Sequence, residues 1–454
     1  MTMTQTADQT PTKPAVQLQL SDIQATVLRP RPSPYRGKYF VLRIDDAAQG
    51  RALLGKLLPH IAPAEADWSP SMGAWLGIAF SYAGLKALGL PAASLGSFPS
   101  AFQEGMAARA GKLGDVGANS PEHWEFPFGT DQVHITVAVY AASHDELMPA
   151  LEKARQSHES LPGIAVVYDL EFGELPEGRN PFGFKDGLHN PPVEGFNEPS
   201  TENERSPFKA GEFLLGYEDE TGKVSASPEP QVLGMNGAYV AFRKFHTDVA
   251  AFRSYLQSQS TDEGTREHLA AKMIGRWQSG APLTLAPEQD DQQLGADKLR
   301  NNDFDYSDDL QGLKCPFSAH IRRVNPREAL AGEAVAINLH QFLRRGTNYG
   351  PPLPPGILTD DGAARGGVFL FICAHLERQF EFVQSQWISD GNFISHGNEQ
   401  DPLLGNPTGD GIFTIPQRPV RRRLHGLPQF VAVNGGEYLF MPSLSALKWL
   451  TELQ

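Results

Sequence analysis

Residues 133–170 read VHITVAVYAASHDELMPALEKARQSHESLPGIAVVYDL, and their pattern changes twice. Val133–Ala141 alternates and is rich in β-branched residues, as a strand requires. Ser143 is a helix-capping residue, and the stretch behind it predicts a helix through about His158. Ile164–Leu170 is again strand-like. Upstream, Lys38–Ile44 predicts a strand, and Arg51–Leu58 follows with leucines at 53, 54, 57 and 58, the spacing of one helical face. Ala74–Phe80 is a further apolar run. Strand, helix, strand, then strand, helix, strand is the order of a split βαβ, ferredoxin-like α+β unit.

The second half repeats the plan. Strands are expected at Ala238–His246, Val335–Phe342 and Val368–Ala374, with helices over about Thr247–Gln257 and Leu376–Ile388. A closing strand and helix lie in GEYLFMPSLSALKWL, residues 436–450. The expected organisation is α+β: two ferredoxin-like domains with antiparallel sheets and peripheral helices. They span residues 21–195 and 205–454 behind a disordered tail, 1–20, and the segment 190–211, rich in Pro, Gly, Asn and Glu, separates them. The acidic stretch 287–312 fits neither core, and loops of that length are functional or disordered.

Composition narrows the function. With 454 residues and 40% hydrophobic content the chain can bury a large core. Its net charge of -14, without a basic run interleaved with aromatics, argues against nucleic acid and anionic membranes as partners. No apolar stretch reaches the roughly 20 residues of a membrane span. Cys315 and Cys373 are the only cysteines, and the first 20 residues show neither a basic n-region nor a twin arginine. A cytoplasmic location is expected.

Three segments carry candidate chemistry. In PFGFKDGLHNPP, residues 181–192, glycines and prolines hold an irregular backbone around one acid, Asp186, although an Asp-Gly pair is also an ordinary turn. In CPFSAHIRRVNPRE, residues 315–328, His320 precedes Arg322, Arg323 and Arg327. An imidazole beside fixed cations suits an anionic cofactor such as a porphyrin, and a surface ion-pair cluster is the plainer alternative. INLHQFLRRGTNYGPP, residues 337–352, places two arginines before a Gly/Asn/Pro turn.

Together these segments resemble the dye-decolourising peroxidase family. Its GxxDG motif stands complete as Gly183–Gly187, its axial-histidine region as CPFSAHIRRVNPR and its distal-arginine region as LRRGTNYG. DIQATVLRP near residue 22, GGVFLFICAHLERQFEFVQSQW, DPLLG at 401–405 and GGEYLFMPS near the end extend the similarity along nearly the whole chain, which looks like the larger, non-exported branch. The resemblance implies haem b between the sheet and helices of the C-terminal half. It makes His320 the axial ligand of the iron, with Asp401 as its carboxylate partner, and Asp186 the acid–base group on the peroxide side. Arg344 is implied to stabilise the leaving oxygen, with Arg345 the adjacent alternative. Phe369 and Phe371 are implied to wall the pocket, Gly187 to contact the cofactor, and Arg322, in competition with Arg323 and Arg327, to meet a propionate. The implied partners are hydrogen peroxide and a small reductant, a dye or phenolic, with Tyr349 and Trp387 as candidate surface relays. A monomer and a homo-oligomer are both compatible. A carboxylate acting as proton acceptor implies an acid optimum. A haem-binding protein without turnover is the alternative reading, since it needs His320 but not Asp186.

Overall fold

The computed structural model describes residues 16–66, 73–196, 206–330, 335–393, 397–407 and 410–453. Most of the expected tail lies outside the described residues, as does part of the expected boundary, 197–205.

In the N-terminal half, β1 (Arg36–Ile44), β2 (Ala74–Phe80), β3 (Ile135–Ala141) and β4 (Ile164–Gly173) alternate with helices α1 (Ala47–Leu57) and α2 (His144–Glu159). Asp46 caps α1 and Ser143 caps α2; Ser143 forms a reciprocal capping box with Glu146, so the helix starts where the serine predicts. The C-terminal half supplies β5 (Ala238–Thr247), helix α3 (Val249–Gln259), β6 (Leu343–Tyr349), β7 (Gly366–Cys373), β8 (Gly411–Ile415), β9 (Arg422–Leu427), β10 (Val431–Met441) and helix α4 (Leu444–Thr451). Eight strands form one antiparallel sheet in the order β4-β1-β3-β2-β10-β5-β7-β6, while β8 and β9 pair separately. Each half therefore contributes a four-strand unit in which the fourth strand lies beside the first and the third beside the second, the ferredoxin-like order. The halves meet edge to edge at Phe440 and Phe80.

The outer strands β4 and β6 lie against each other, so the sheet curls into a barrel. Inside it, the Tyr39 hydroxyl shares hydrogen bonds with Tyr140 and Thr347, each 3.2 Å long, and the Tyr39 ring packs 4.6 Å from Phe172. Buried phenols that satisfy one another hold the strands in register without exposing a polar atom to apolar side chains.

Two expectations shift. The strand predicted at Val335–Phe342 begins only at Leu343; Ile337–His340 is a 3-10 turn, and its apolar residues are only partly buried. The helix predicted over 376–388 forms, but as wide π-helical turns in which the amides of Glu381 and Ser389 reach back five residues. The acidic stretch 287–312 is ordered. Leu294, Phe304 and Tyr306 join Trp277, Leu283, Cys315 and Ala319 in a second, smaller core that ends directly before His320.

Candidate active site

His320 opens the short helix His320–Val324, and its Nδ1 lies 2.9 Å from Asp401 Oδ2. Asp401 is buried, and its Oδ1 accepts the amides of Leu403 and Leu404, both at 2.9 Å, so the DPLLG turn fixes the carboxylate. Burial alone would raise this carboxyl. The His320 ring, the Leu404 amide and the charge of Arg323 outweigh it and hold Asp401 below the usual carboxylate range. A carboxylate only accepts, so His320 donates from Nδ1 and its Nε2 keeps a lone pair. Among the described residues nothing bonds to that nitrogen.

The GxxDG loop is tied to its neighbours through its backbone. The Lys185 amide donates to Gln278 O at 3.1 Å and the Asp186 amide to Gly178 O at 3.0 Å, while Gly187 takes the left-handed φ of +70° that lets the chain leave the acid sharply. Asp186 Oδ1 accepts the Gly187 amide at 2.8 Å and Oδ2 accepts Arg31 at 2.9 Å. The Arg31 guanidinium lies 4.3 Å over the ring of Tyr35, whose hydroxyl accepts the amide of Asn348 on β6. The same loop grips β6 at Arg344: its amide donates to Asn190 Oδ1 at 2.7 Å and its guanidinium to His189 O at 2.6 Å.

Strand register separates the two arginines. Arg344 pairs with Phe371 and Gly346 with Phe369, so Arg344, Phe369 and Phe371 share one face. Arg345 points to the opposite face, where it donates to the carbonyls of Thr26 and Val27. Gly346 is required on the first face, because a Cβ there would stand 2.7 Å from the Phe369 ring. Phe369 and Phe371 stack with centroids 5.6 Å apart, and Phe380 of the wide helix stacks on Phe371. Along β7 the residues of the other face, Val368, Leu370 and Ile372, are buried, whereas Phe369 and Phe371 are only half-buried. A strand whose aromatic face stays partly exposed can receive a flat apolar group. Together with the Nε2 lone pair of His320, that donor set fits an iron porphyrin.

The arginines beside His320 serve another purpose. Arg322 is wholly buried, bonded to the Asp309 carboxylate at 2.9 Å and to Cys315 O at 2.7 Å, and it stacks on Tyr306 and Phe317. Its two terminal nitrogens are held inside the second core while its buried Nε has no partner among the described residues, so the geometry favours a structural role over the expected propionate contact. Arg323 donates to the carbonyls of Trp387, Glu399 and Asp390, and Arg327 is bound to Asn302. The cationic run after the histidine clamps loops onto its helix. Tyr349 and Trp387, candidates for a surface relay, are both buried. The sequence reading missed Arg31, which lies 155 residues from Asp186 in a proline-rich segment where no spacing links the two.

Fold and site thus define a class, barrel-forming α+β proteins that present a carboxylate-backed histidine in the C-terminal half. Comparison narrows it. Residues 22–171 match the profile of the DyP dimeric alpha+beta barrel domain. The dye-decolorizing peroxidase msp1 of Mycetinis scorodonius is 31% identical, over 95% of this chain and 87% of its own. The structure of an ancestral D-type dye-decolorizing peroxidase superposes with a TM-score of 0.83 at 30% identity, covering 95% of this chain and 99% of that one. A dye-decolorizing peroxidase in complex with 2,6-dimethoxyphenol gives 0.82 at 29% identity, covering 96% and 100%. The chain belongs to the dye-decolourising peroxidase family, and it is an enzyme, a peroxidase.

Proposed function

We propose that this chain is a haem b peroxidase that uses hydrogen peroxide to oxidise dyes and phenolics, with His320 as the iron's axial ligand. The observation that carries the reading is the 2.9 Å contact between His320 Nδ1 and the buried Asp401, which turns Nε2 into an oriented donor. Residues 21–195 and 205–454 are the two domains of this reading, and the half-buried Phe369 and Phe371 of the second form the wall on which the porphyrin rests. Gly187 lets the chain turn close beside it.

Haem, when bound, supplies the chemistry that splits the O–O bond and takes electrons singly from the reductant. The residues of the chain do the rest. Asp186 accepts the proton of the incoming peroxide and returns it to the departing oxygen; its two oxygens, held by Arg31 and the Gly187 amide, each retain a lone pair for the purpose. Arg344, fixed by His189 and Asn190, offers its guanidinium to the charge that develops on that oxygen. The similarity to a structure with a bound dimethoxyphenol supports phenols as reductants. Burial of both free cysteines is compatible with the cytoplasmic setting we assign.

The test is reconstitution with haem followed by one equivalent of peroxide. A Soret band that shifts and then returns on adding 2,6-dimethoxyphenol supports the reading. A band indifferent to peroxide leaves a haem-binding protein, and no band in wild type removes the cofactor altogether.

A further inference from the structure

The β8–β9 hairpin stands apart from the barrel, and its turn reads PQRPVR, residues 416–421. Arg418, Arg421 and Arg423 are exposed and Arg422 is half-buried. None of the four forms an ion pair with a described residue. Arg418 donates to the neutral Gln311 at 3.0 Å and Arg423 to Thr414 at 3.3 Å. Four unneutralised guanidiniums within six residues run against a chain with 53 acids and 39 Lys and Arg.

The ground beside this tip has the opposite sign. The bond from Arg418 to Gln311, and the close approach of Gly312 to Pro416, seat the hairpin on the segment 303–313. That segment, which has no Lys or Arg of its own, exposes Asp303 and Asp308, the latter also paired with Lys314 at 2.6 Å. It also exposes Leu310, which with Val420 of the hairpin is the most exposed large apolar side chain among the described residues, each at 70%. A basic strip, an acidic strip and two bare apolar side chains thus share one surface.

We infer that this surface docks a second copy of the same chain about a two-fold axis, with the Arg418–Arg423 tip of each copy on the Asp303–Asp308 strip of the other. A two-fold interface requires a patch complementary to itself, and adjacent strips of opposite charge are that. Leu310 and Val420 then lie between the charges, where an interface keeps its apolar core. A polyanion or an anionic membrane would meet Asp303 and Asp308 along with the arginines. The net charge of each copy opposes association only weakly, because at physiological salt charges more than about 8 Å apart are screened.

Sedimentation velocity of the full chain tests this. Wild type is expected to dimerise, with a dissociation constant that rises at least tenfold between about 50 mM and 500 mM salt, as contacts between exposed charges must. Arg421→Glu with Arg423→Glu should be monomeric alone, and so should Asp303→Arg with Asp308→Arg, since each puts like charges against like. An equimolar mixture of the two variants should dimerise, because both half-contacts of the mixed pair are attractive again. Misfolding of either variant cannot produce that recovery. A wild type that stays monomeric at low salt, a dimer unmoved by either substitution, a mixture that remains monomeric, or an unassociated chain captured by phosphatidylserine vesicles would each overturn the inference.

Discussion

Both oxygens of Asp401 are committed, one to His320 and one to two amides, so this side chain sets the tautomer, the direction and the basicity of the histidine at once. Asp401→Asn keeps the shape and removes the charge; haem titration is expected to show an affinity about 10- to 100-fold weaker. On the proposed role of Asp186, Asp186→Asn should leave the Soret band intact and lower kcat by about 10²–10⁴, the usual worth of a positioned acid–base group. Arg344→Leu should cost about 10²–10³ in kcat, as loss of one charge-stabilising donor does. The candidates at these positions were legible in the sequence because each sits in a motif. Arg31 was not, because the pairing that matters is made by the barrel and bears no relation to chain distance.

At the scale of elements, the helix His320–Val324 is held less by its own five residues than by what its arginines grip. Arg322 and Asp309 form a buried pair, each almost fully removed from water. Breaking one member of such a pair leaves an uncompensated charge inside the protein. Arg322→Ala is therefore expected to lower unfolding stability in urea by about 3–5 kcal/mol, an effect visible in the haem-free protein. A residue whose role was to meet a propionate would instead change haem affinity alone. Sequence reading recovered the four strands and the two long helices of the N-terminal half because their hydrophobic periods are unbroken, but not the short helices between Tyr82 and Leu113. It misplaced the start of β6, where an apolar 3-10 turn runs into the strand, and it left 287–312 outside any core, since an acidic segment hides three well-spaced core residues, Leu294, Phe304 and Tyr306. The hairpin β8–β9 escaped for a similar reason: its strands are short and its turn is charged.

For the molecule as a whole, pH acts on stability through a cluster where β7 runs into the wide helix. Burial, reinforced by the charge of Arg378, pushes His375 down to about 4, while Asp219 opposes the shift and the raised, buried Glu212 completes the group. The unfolded chain, with histidine near 6.5, then binds the proton that the folded chain refuses. His375 by itself therefore contributes stability that is complete above about pH 6.5 and falls as pH drops toward 4, by at most about 3 kcal/mol, whereas Glu212, raised to about 7, binds a proton on folding and contributes in the opposite sense over the upper part of that window. Relative to His375→Asn, the urea midpoint of the wild type should fall as pH drops across that window, since the comparison cancels the Glu212 contribution. The two halves share one strand order, and the comparison between their third strands is instructive. In the first half, β3 is buried along its whole length; in the second, β7 is only half-buried at Phe369 and Phe371. One architectural plan is thus used twice, once sealed and once open. Side chains at the half-buried positions of β7 can change size where those of β3 cannot, so tolerance to innovation in this protein is unevenly shared between two look-alike strands.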